Sequence, residues 1–201
     1  MKILKTIGFW FVQCTWGFIM TFIGAVATLG FIIAGKKPQH LGPVVYIQTG
    51  KNWGGVNFGP FYFCCENATM RTKLHEAGHG IQNMIWGPLF PFLVAIPSIT
   101  RCGLRLCKTH LTKSLFNLFY LLIALIVTTA GAVIFGPVID GFKWLTIVFE
   151  VLRLYFLCVS IWMSVLEIPK YDKGYVEYDS IWFEGQATLW GYKYFGKYYK
   201  K

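Results

Sequence analysis

Three long apolar runs dominate the pattern of hydrophobic and polar positions along the chain. They cover residues 7–34, 114–139 and 142–168. Each run is long enough to cross the hydrocarbon core of a bilayer as a helix with some tilt. Arg153 lies inside the third run, and Glu150, three residues earlier on the same helix face, is its expected partner. The pattern predicts a mainly α membrane protein with about three transmembrane helices.

Residues 44–65 have a different pattern, with β-branched and aromatic side chains separated by turn residues. Val44 to Thr49 reads as one strand and Val56 to Cys65 as a second strand, interrupted by Gly59-Pro60. This pattern predicts a short β-hairpin. The hairpin would either hold a substrate as an added strand or serve only as structure.

Polar stretches define the remaining elements. A helix over residues 70–85 is expected to begin after a cap at Asn67 or Thr69 and to sit at the membrane surface. Three prolines in residues 86–99 favour an interfacial or re-entrant segment, with a kinked span as the alternative. Residues 179–195 are expected to be helical. A basic, tyrosine-rich tail then follows, typical of the headgroup level of a bilayer.

Composition supports a membrane protein rather than a soluble one. The 201 residues are 55% hydrophobic and only 14% charged, where a soluble domain has about a quarter charged. The length predicts a single domain over residues 1–201. The net charge of +10 comes from connections between apolar runs, which favours anionic lipid as a partner and no nucleic acid. The six cysteines lack the CxxC spacing of a zinc ribbon and are expected to be reduced.

Candidate chemistry is concentrated in the pattern HExxH at residues 75–79. Residues four apart share one face of a helix, so His75 and His79 would direct both imidazoles at one zinc ion. Glu76 would reach a metal-activated water and act as general base. The alternative is two histidines that merely share a helix face.

A catalytic zinc site needs a third protein ligand and an open position. With three crossings, Asp140 falls on the opposite side of a hydrocarbon core of about 30 Å. Everything after Pro169 returns to the side of the histidines. The carboxylates on that side include Asp172, Glu177, Asp179 and Glu184, and Glu184, in a helical stretch at residues 184–187, fits the third position better than Asp140.

The order HExxH, two spans and helical ExxA resembles the integral-membrane gluzincin peptidases, the heat-shock HtpX and CAAX prenyl protease group. The resemblance implies that His75, His79 and Glu184 bind zinc and that Glu76 is the base. That family often has an aspartate four residues after the glutamate ligand, where this chain has Thr188. Thr188 would orient a ligand histidine through its hydroxyl but supplies no negative charge.

Two weaker resemblances accompany this one. His75 to His79 fits the HExGH form of intramembrane site-2 proteases, and Asp140-Gly141 loosely resembles their Asp-Gly element, although the Asn-Pro context is missing. The chain also resembles small bacterial membrane proteins in which HExGHxxQ, here ending at Gln82, precedes Gly-Pro-Leu and Pro-Ser segments. Neither resemblance implies a function beyond the metal motif.

The sequence therefore predicts a zinc-dependent endopeptidase acting on a peptide or membrane-protein substrate at the membrane. Most lysines and arginines lie on the metal side, which predicts that the site faces the cytoplasm. The resemblances imply that the membrane is a bacterial plasma membrane. The alternatives are a non-catalytic protein with a structural metal, or a site-2-type protease using Asp140. A structural site would take its fourth ligand from His40, His110 or a cysteine. The oxyanion donor stays open among His110, Tyr178, Tyr192 and Tyr194, and the oligomeric state is not predicted.

Overall fold

The computed structural model describes residues 2–138 and 143–199, which are mostly helical with one small sheet. The described chain divides into two compact units. Residues 1–96 and 177–201 form the first, here called the terminal unit, and residues 97–176 form the second, the central unit. The division follows from connectivity, because both ends of the chain fold together while two long helices pair with each other.

The first apolar run is not one straight helix. Helix α1 (Lys2–Thr15) and helix α2 (Phe18–Ile33) meet at a bend of 100°. No proline marks this break in the sequence. Instead, a Cβ atom on Gly17 would overlap the amides of Asn83 and Gln13, so close packing fixes the turn. The two helices would count as a membrane span only if taken together.

The expected hairpin is wrong, since the region forms a four-stranded sheet. The strands are β1 (Gln39–Leu41), β2 (Val44–Gln48), β3 (Gly55–Phe58) and β4 (Phe61–Cys64), in the order β1-β2-β4-β3. Strands β1/β2 and β3/β4 are antiparallel hairpins, whereas β2 and β4 run parallel.

Gly59-Pro60 explains the error, because it reverses the chain instead of interrupting one strand. Gly59 has φ +66, and its backbone N–H donates to Asn57 Oδ1 over 2.9 Å. An asparagine that bonds its own backbone two residues later is a common turn former. The turn leaves β3 as an edge strand of the sheet.

Helix α3 (Met70–Trp86) carries the HExxH pattern. Thr69 caps it, as expected, by accepting a hydrogen bond from the Thr72 backbone N–H over 3.3 Å. The helix ends at Gly87, whose φ of +50 is unfavourable for other residues. Its length and position agree with the sequence prediction within one residue.

Residues 87–106 are helical despite three prolines. A 3₁₀ turn (Gly87–Leu89) and a π turn (Pro91–Ala95) lead into helix α4 (Ile96–Leu106). Each proline lies in the first turn of its element, where proline is best tolerated. The segment thus contains helical structure in spite of its prolines.

The central unit contains two helices that are long and apolar enough to cross a membrane. They are α5 (His110–Val138) and α6 (Lys143–Trp162), the latter continuing through a π turn (Met163–Glu167) into α7 (Ile168–Asp172). Arg153 Nη1 donates to Glu150 Oε1 over 2.8 Å, which confirms the expected pair. Asp140 lies outside the described residues.

After the central unit, the chain returns to the terminal unit through a 3₁₀ turn (Tyr178–Ser180). Helix α8 (Trp182–Trp190) follows, then a π turn (Gly191–Phe195) and helix α9 (Gly196–Tyr199). The expected helix over residues 179–195 is thus present, with its central part formed by α8. Together these elements give a mainly α fold with features of a membrane protein.

Candidate metal centre

His75 and His79 lie on one face of α3, as their spacing predicts. Their Nε2 atoms are 3.1 Å apart. The two rings meet edge to face at a centroid distance of 4.7 Å. Both side chains are buried, with 6% of each residue exposed. Two imidazole nitrogens therefore converge on one point in the interior of the terminal unit.

Helix α8 brings Glu184 to the same point. Glu184 Oε2 is 3.1 Å from His75 Nε2 and 3.3 Å from His79 Nε2. Burial alone would raise the pKa of Glu184, but hydrogen bonds from the two histidines outweigh it and hold that pKa well below its ordinary value. The carboxylate is thus ionised and supplies a negative charge to the cluster.

The spacing of the three atoms fits a metal ion. Ligands about 2.0–2.1 Å from zinc at tetrahedral angles lie about 3.3–3.4 Å from one another. The observed separations are 3.1–3.3 Å. Within residues 2–138 and 143–199, no fourth histidine, cysteine or carboxylate joins this group. The donor set of two imidazoles and one carboxylate is one that zinc accepts, with one position left for water or substrate.

The outward nitrogen of each histidine also has a defined partner. His75 Nδ1 is 2.8 Å from Thr188 Oγ1, and His79 Nδ1 is 2.6 Å from Gln82 Oε1. Because the amide oxygen only accepts, His79 Nδ1 carries a proton, which leaves Nε2 as the nitrogen that would bind a metal once the metal displaces the Nε2 proton. Thr188 thus stands where the sequence predicts it, beside a candidate ligand.

Gln82 has no role assigned from the sequence, although it completes the HExGHxxQ pattern. Its amide nitrogen donates to the backbone oxygen of Phe183 over 2.7 Å, which fixes the amide orientation and turns the oxygen toward His79. Gln82 is fully buried. The available signal was its spacing, since a residue three after His79 shares the same face of α3.

Two glycines let α3 approach α8 and the π turn after it closely enough for Glu184 to reach the histidines. A Cβ on Gly78 would overlap the backbone oxygen of Ala187. A Cβ on Gly191 would overlap the backbone oxygen of Leu74. The glycine inside the HExGH pattern is therefore required by contact between two backbones.

Glu76 is buried beside the cluster but is not one of the three grouped ligands. Its side chain lies against β3, because a Cβ on Gly55 would come within 2.7 Å of Glu76 Oε1. Asn57 Nδ2 donates to the backbone oxygen of Glu76 over 2.8 Å. The edge strand and the candidate base are thus held together.

The residues proposed as oxyanion donors or as a fourth metal ligand are less closely grouped than the three candidate ligands. The Tyr178 ring lies 5.4 Å from the His75 ring, while Tyr192 and Tyr194 are exposed. His110 belongs to the central unit. His40, on β1, is exposed and outside the metal group. Of the four oxyanion candidates, Tyr178 alone has a described ring contact with a candidate ligand.

Comparisons of the chain with models of protein families, with curated proteins and with solved structures find no match. The resemblance to gluzincin peptidases therefore depends on the motifs alone. The His75–His79–Glu184 geometry is an independent observation, and it indicates a site that could hold a metal without identifying the metal.

Proposed function

We propose that the protein is a zinc-dependent membrane endopeptidase. The observation that carries this proposal is the convergence of His75 Nε2, His79 Nε2 and Glu184 Oε2 at 3.1–3.3 Å, on three buried side chains. Three ligands with an open position are typical of catalytic zinc, whereas structural zinc usually has four protein ligands.

The position of each group in the site suggests its role in peptide hydrolysis. Zinc, when bound, would supply a Lewis acid for the scissile carbonyl and lower the pKa of water. Glu76 would take a proton from the attacking water and deliver it to the leaving amine. Tyr178, beside His75, is the favoured donor to the developing oxyanion.

A peptide is the proposed substrate because an edge strand runs beside Glu76. Strand β3 pairs with β4 on one side, and no described strand pairs with its other side. An extended peptide can add to such an edge through backbone hydrogen bonds. Gly55, at the start of β3, has the carboxyl group of Glu76 where its own side chain would be. Strand addition there would bring a peptide bond toward the base.

The proposed location is a bacterial plasma membrane, with the site on the cytoplasmic side. Helices α5 and α6 support the membrane assignment by length and hydropathy. The sidedness depends on the distribution of lysine and arginine alone. The substrate would then be a membrane protein or a peptide close to the membrane surface.

The central experiment separates metal binding from turnover. In detergent-purified protein, Glu76→Gln is expected to keep its zinc and lose about 10²–10⁴-fold in cleavage of a fluorogenic peptide library, because the base is lost while the ligands remain. Glu184→Gln is expected to lose both zinc and cleavage. Glu66→Gln, an exposed carboxylate paired with Lys36, is the matched control. Undiminished cleavage by Glu76→Gln would contradict the assigned base.

The burial of all three ligands supports a second candidate, a non-catalytic metal that stabilises the terminal unit. In that case, zinc removal would lower the unfolding temperature of a protein that cleaves nothing. Glu76→Gln would then match the unsubstituted protein in every measurement.

A further inference from the structure

Helices α1 and α2, here called the elbow (residues 2–33), form an apolar arm that changes direction by 100°. The helices contain 14 and 16 residues, which correspond to about 21 and 24 Å at 1.5 Å per residue. Neither helix alone reaches across a hydrocarbon core of about 30 Å. A straight crossing would require the two helices to be collinear.

Buried polar contacts with α3 hold the bend in place. Gln13 Nε2 donates to the backbone oxygen of Gly80 over 2.8 Å. Asn83 Nδ2 donates to Gln13 Oε1 over 2.6 Å and to the backbone oxygen of Gly17 over 3.1 Å. Both amide side chains are fully buried. Straightening the elbow would break these bonds and leave buried polar groups unsatisfied, which is unfavourable in lipid as in a protein core.

The outer surface of the elbow is almost entirely apolar. Its exposed large side chains include Ile7, Phe11, Phe18, Phe22 and Val26, each more than half exposed. Near the bend, the exposed Thr15 hydroxyl donates to the backbone oxygen of Phe11 over 2.7 Å, so this polar group needs no water. An apolar surface of this extent requires an apolar environment.

Lysines flank the elbow at both ends. Lys2 and Lys5 lie in its first turn, and Lys36 and Lys37 follow its last residue. A segment that crosses a membrane tends to carry its positive charge on one side. Two lysines at each end instead match two ends that lie at the same anionic headgroup layer.

We propose that the elbow is a re-entrant anchor that enters and leaves the bilayer on one face. If the two arms descend symmetrically, the bend lies roughly 15 Å below the two ends, which is half of the hydrocarbon core. The acyl chains of one leaflet then cover the outer surface. Residues 7–34 do not cross, in contrast to the sequence-based expectation. The placement brings the second half of α3 to the same depth, because Gln13 and Gly17 are hydrogen-bonded to Gly80 and Asn83. It does not require that a metal is bound.

Native lysines provide the test, since Lys5 and Lys37 are both exposed. Cells that express the full chain are treated with a membrane-impermeant amine-reactive ester, and modified lysines are mapped by mass spectrometry. Lys5 and Lys37 are expected to respond alike, with both modified in intact cells or both only after permeabilisation. Modification of one lysine in intact cells and of the other only after permeabilisation would overturn the proposal. Lys108 and Lys143, on either side of α5, provide the reference for a crossing helix.

A second measurement identifies what covers the elbow. Phe22→p-benzoylphenylalanine places a photoreactive group on its exposed face, and irradiation in the membrane is expected to yield lipid adducts detected as a mass increase. A covalent dimer on a denaturing gel would show that a second copy covers the face, which would overturn the lipid assignment. Lys51→p-benzoylphenylalanine, in the exposed connection between β2 and β3, is the control and is expected to give no lipid adduct.

Discussion

Gln82 accepts the hydrogen bond from His79 Nδ1 over 2.6 Å, and the same side chain donates to helix α8 through the backbone oxygen of Phe183. Phe183 directly precedes Glu184. One amide thus sets the protonation of one candidate ligand and the position of the residue before another.

This relationship predicts that Gln82→Leu will weaken zinc binding by about 10–100-fold, the usual range for partners of ligand histidines. Gln82→Glu keeps an acceptor for His79 and is expected to retain more of the affinity, although it loses the donor to Phe183. Competition with a chromogenic chelator measures both. The partly buried Gln48→Leu is the control, because Gln48 bonds to the backbone of Cys65 and Glu66 and to no candidate ligand, and it should bind zinc like the unsubstituted protein.

The hydrogen bond between Thr188 and His75 predicts that zinc affinity depends on the hydroxyl group at position 188. Thr188→Val removes the hydroxyl at nearly constant volume and is expected to lower zinc affinity by about tenfold. Thr188→Ser restores the hydroxyl and should recover most of the loss. An unchanged affinity in Thr188→Val, measured by the same chelator competition, would show that His75 is oriented without this contact.

A substitution at Gly78 tests the close contact between α3 and α8. Gly78→Ala forces a Cβ against the backbone oxygen of Ala187, so it is expected to destabilise the protein by at least about 1–3 kcal/mol and to weaken zinc binding as Glu184 moves away. Thermal unfolding in detergent and metal content measure the two effects.

Gly8→Ala is the matched control for Gly78→Ala. Gly8 is also a helical glycine, but a Cβ atom added there would meet nothing within 4 Å. Alanine at this position is expected to be neutral or to stabilise by up to about 1 kcal/mol, because it is the better helix former. Equal effects at the two positions would contradict the proposed backbone contact.

Arg101 and Glu167 form a buried ion pair in the central unit, with Nε and Oε2 3.1 Å apart and both side chains at most 2% exposed. Glu167→Gln removes the negative charge beside a buried guanidinium and is expected to cost about 3–5 kcal/mol. Glu66→Gln, in an exposed pair, should cost at most about 1 kcal/mol. Thermal unfolding compares the two variants, and similar shifts in unfolding temperature would argue against a structural role for the buried pair.

The sequence was informative wherever the structure depends on local spacing. The four-residue spacing of His75 and His79 is a property of any helix, and the three-residue spacing of Glu150 and Arg153 likewise predicted their ion pair. The proximity of Glu184 followed from the order of the motifs. These predictions require little knowledge of how distant segments pack.

The features that the sequence did not predict share a different cause, since they depend on contacts between segments that are distant in the sequence. The bend between α1 and α2 depends on Gln13 and Asn83, which are seventy residues apart in the sequence. The parallel pairing of β2 with β4 depends on a chain reversal at Gly59 that hydrophobic periodicity does not distinguish from a bulge. The role of Gln82 became visible only when its donor and acceptor partners were both in place.

The close contact of α3 with α8 also gives a way to search for relatives. Gly78 and Gly191 have no room for any side chain, while Gln82 and Thr188 hold the histidines. A combined signature of HExGHxxQ followed by ExxxTxxG therefore encodes the geometry of the site rather than the helix alone. Chains that share both halves should share the cluster even where the rest of their sequences has diverged.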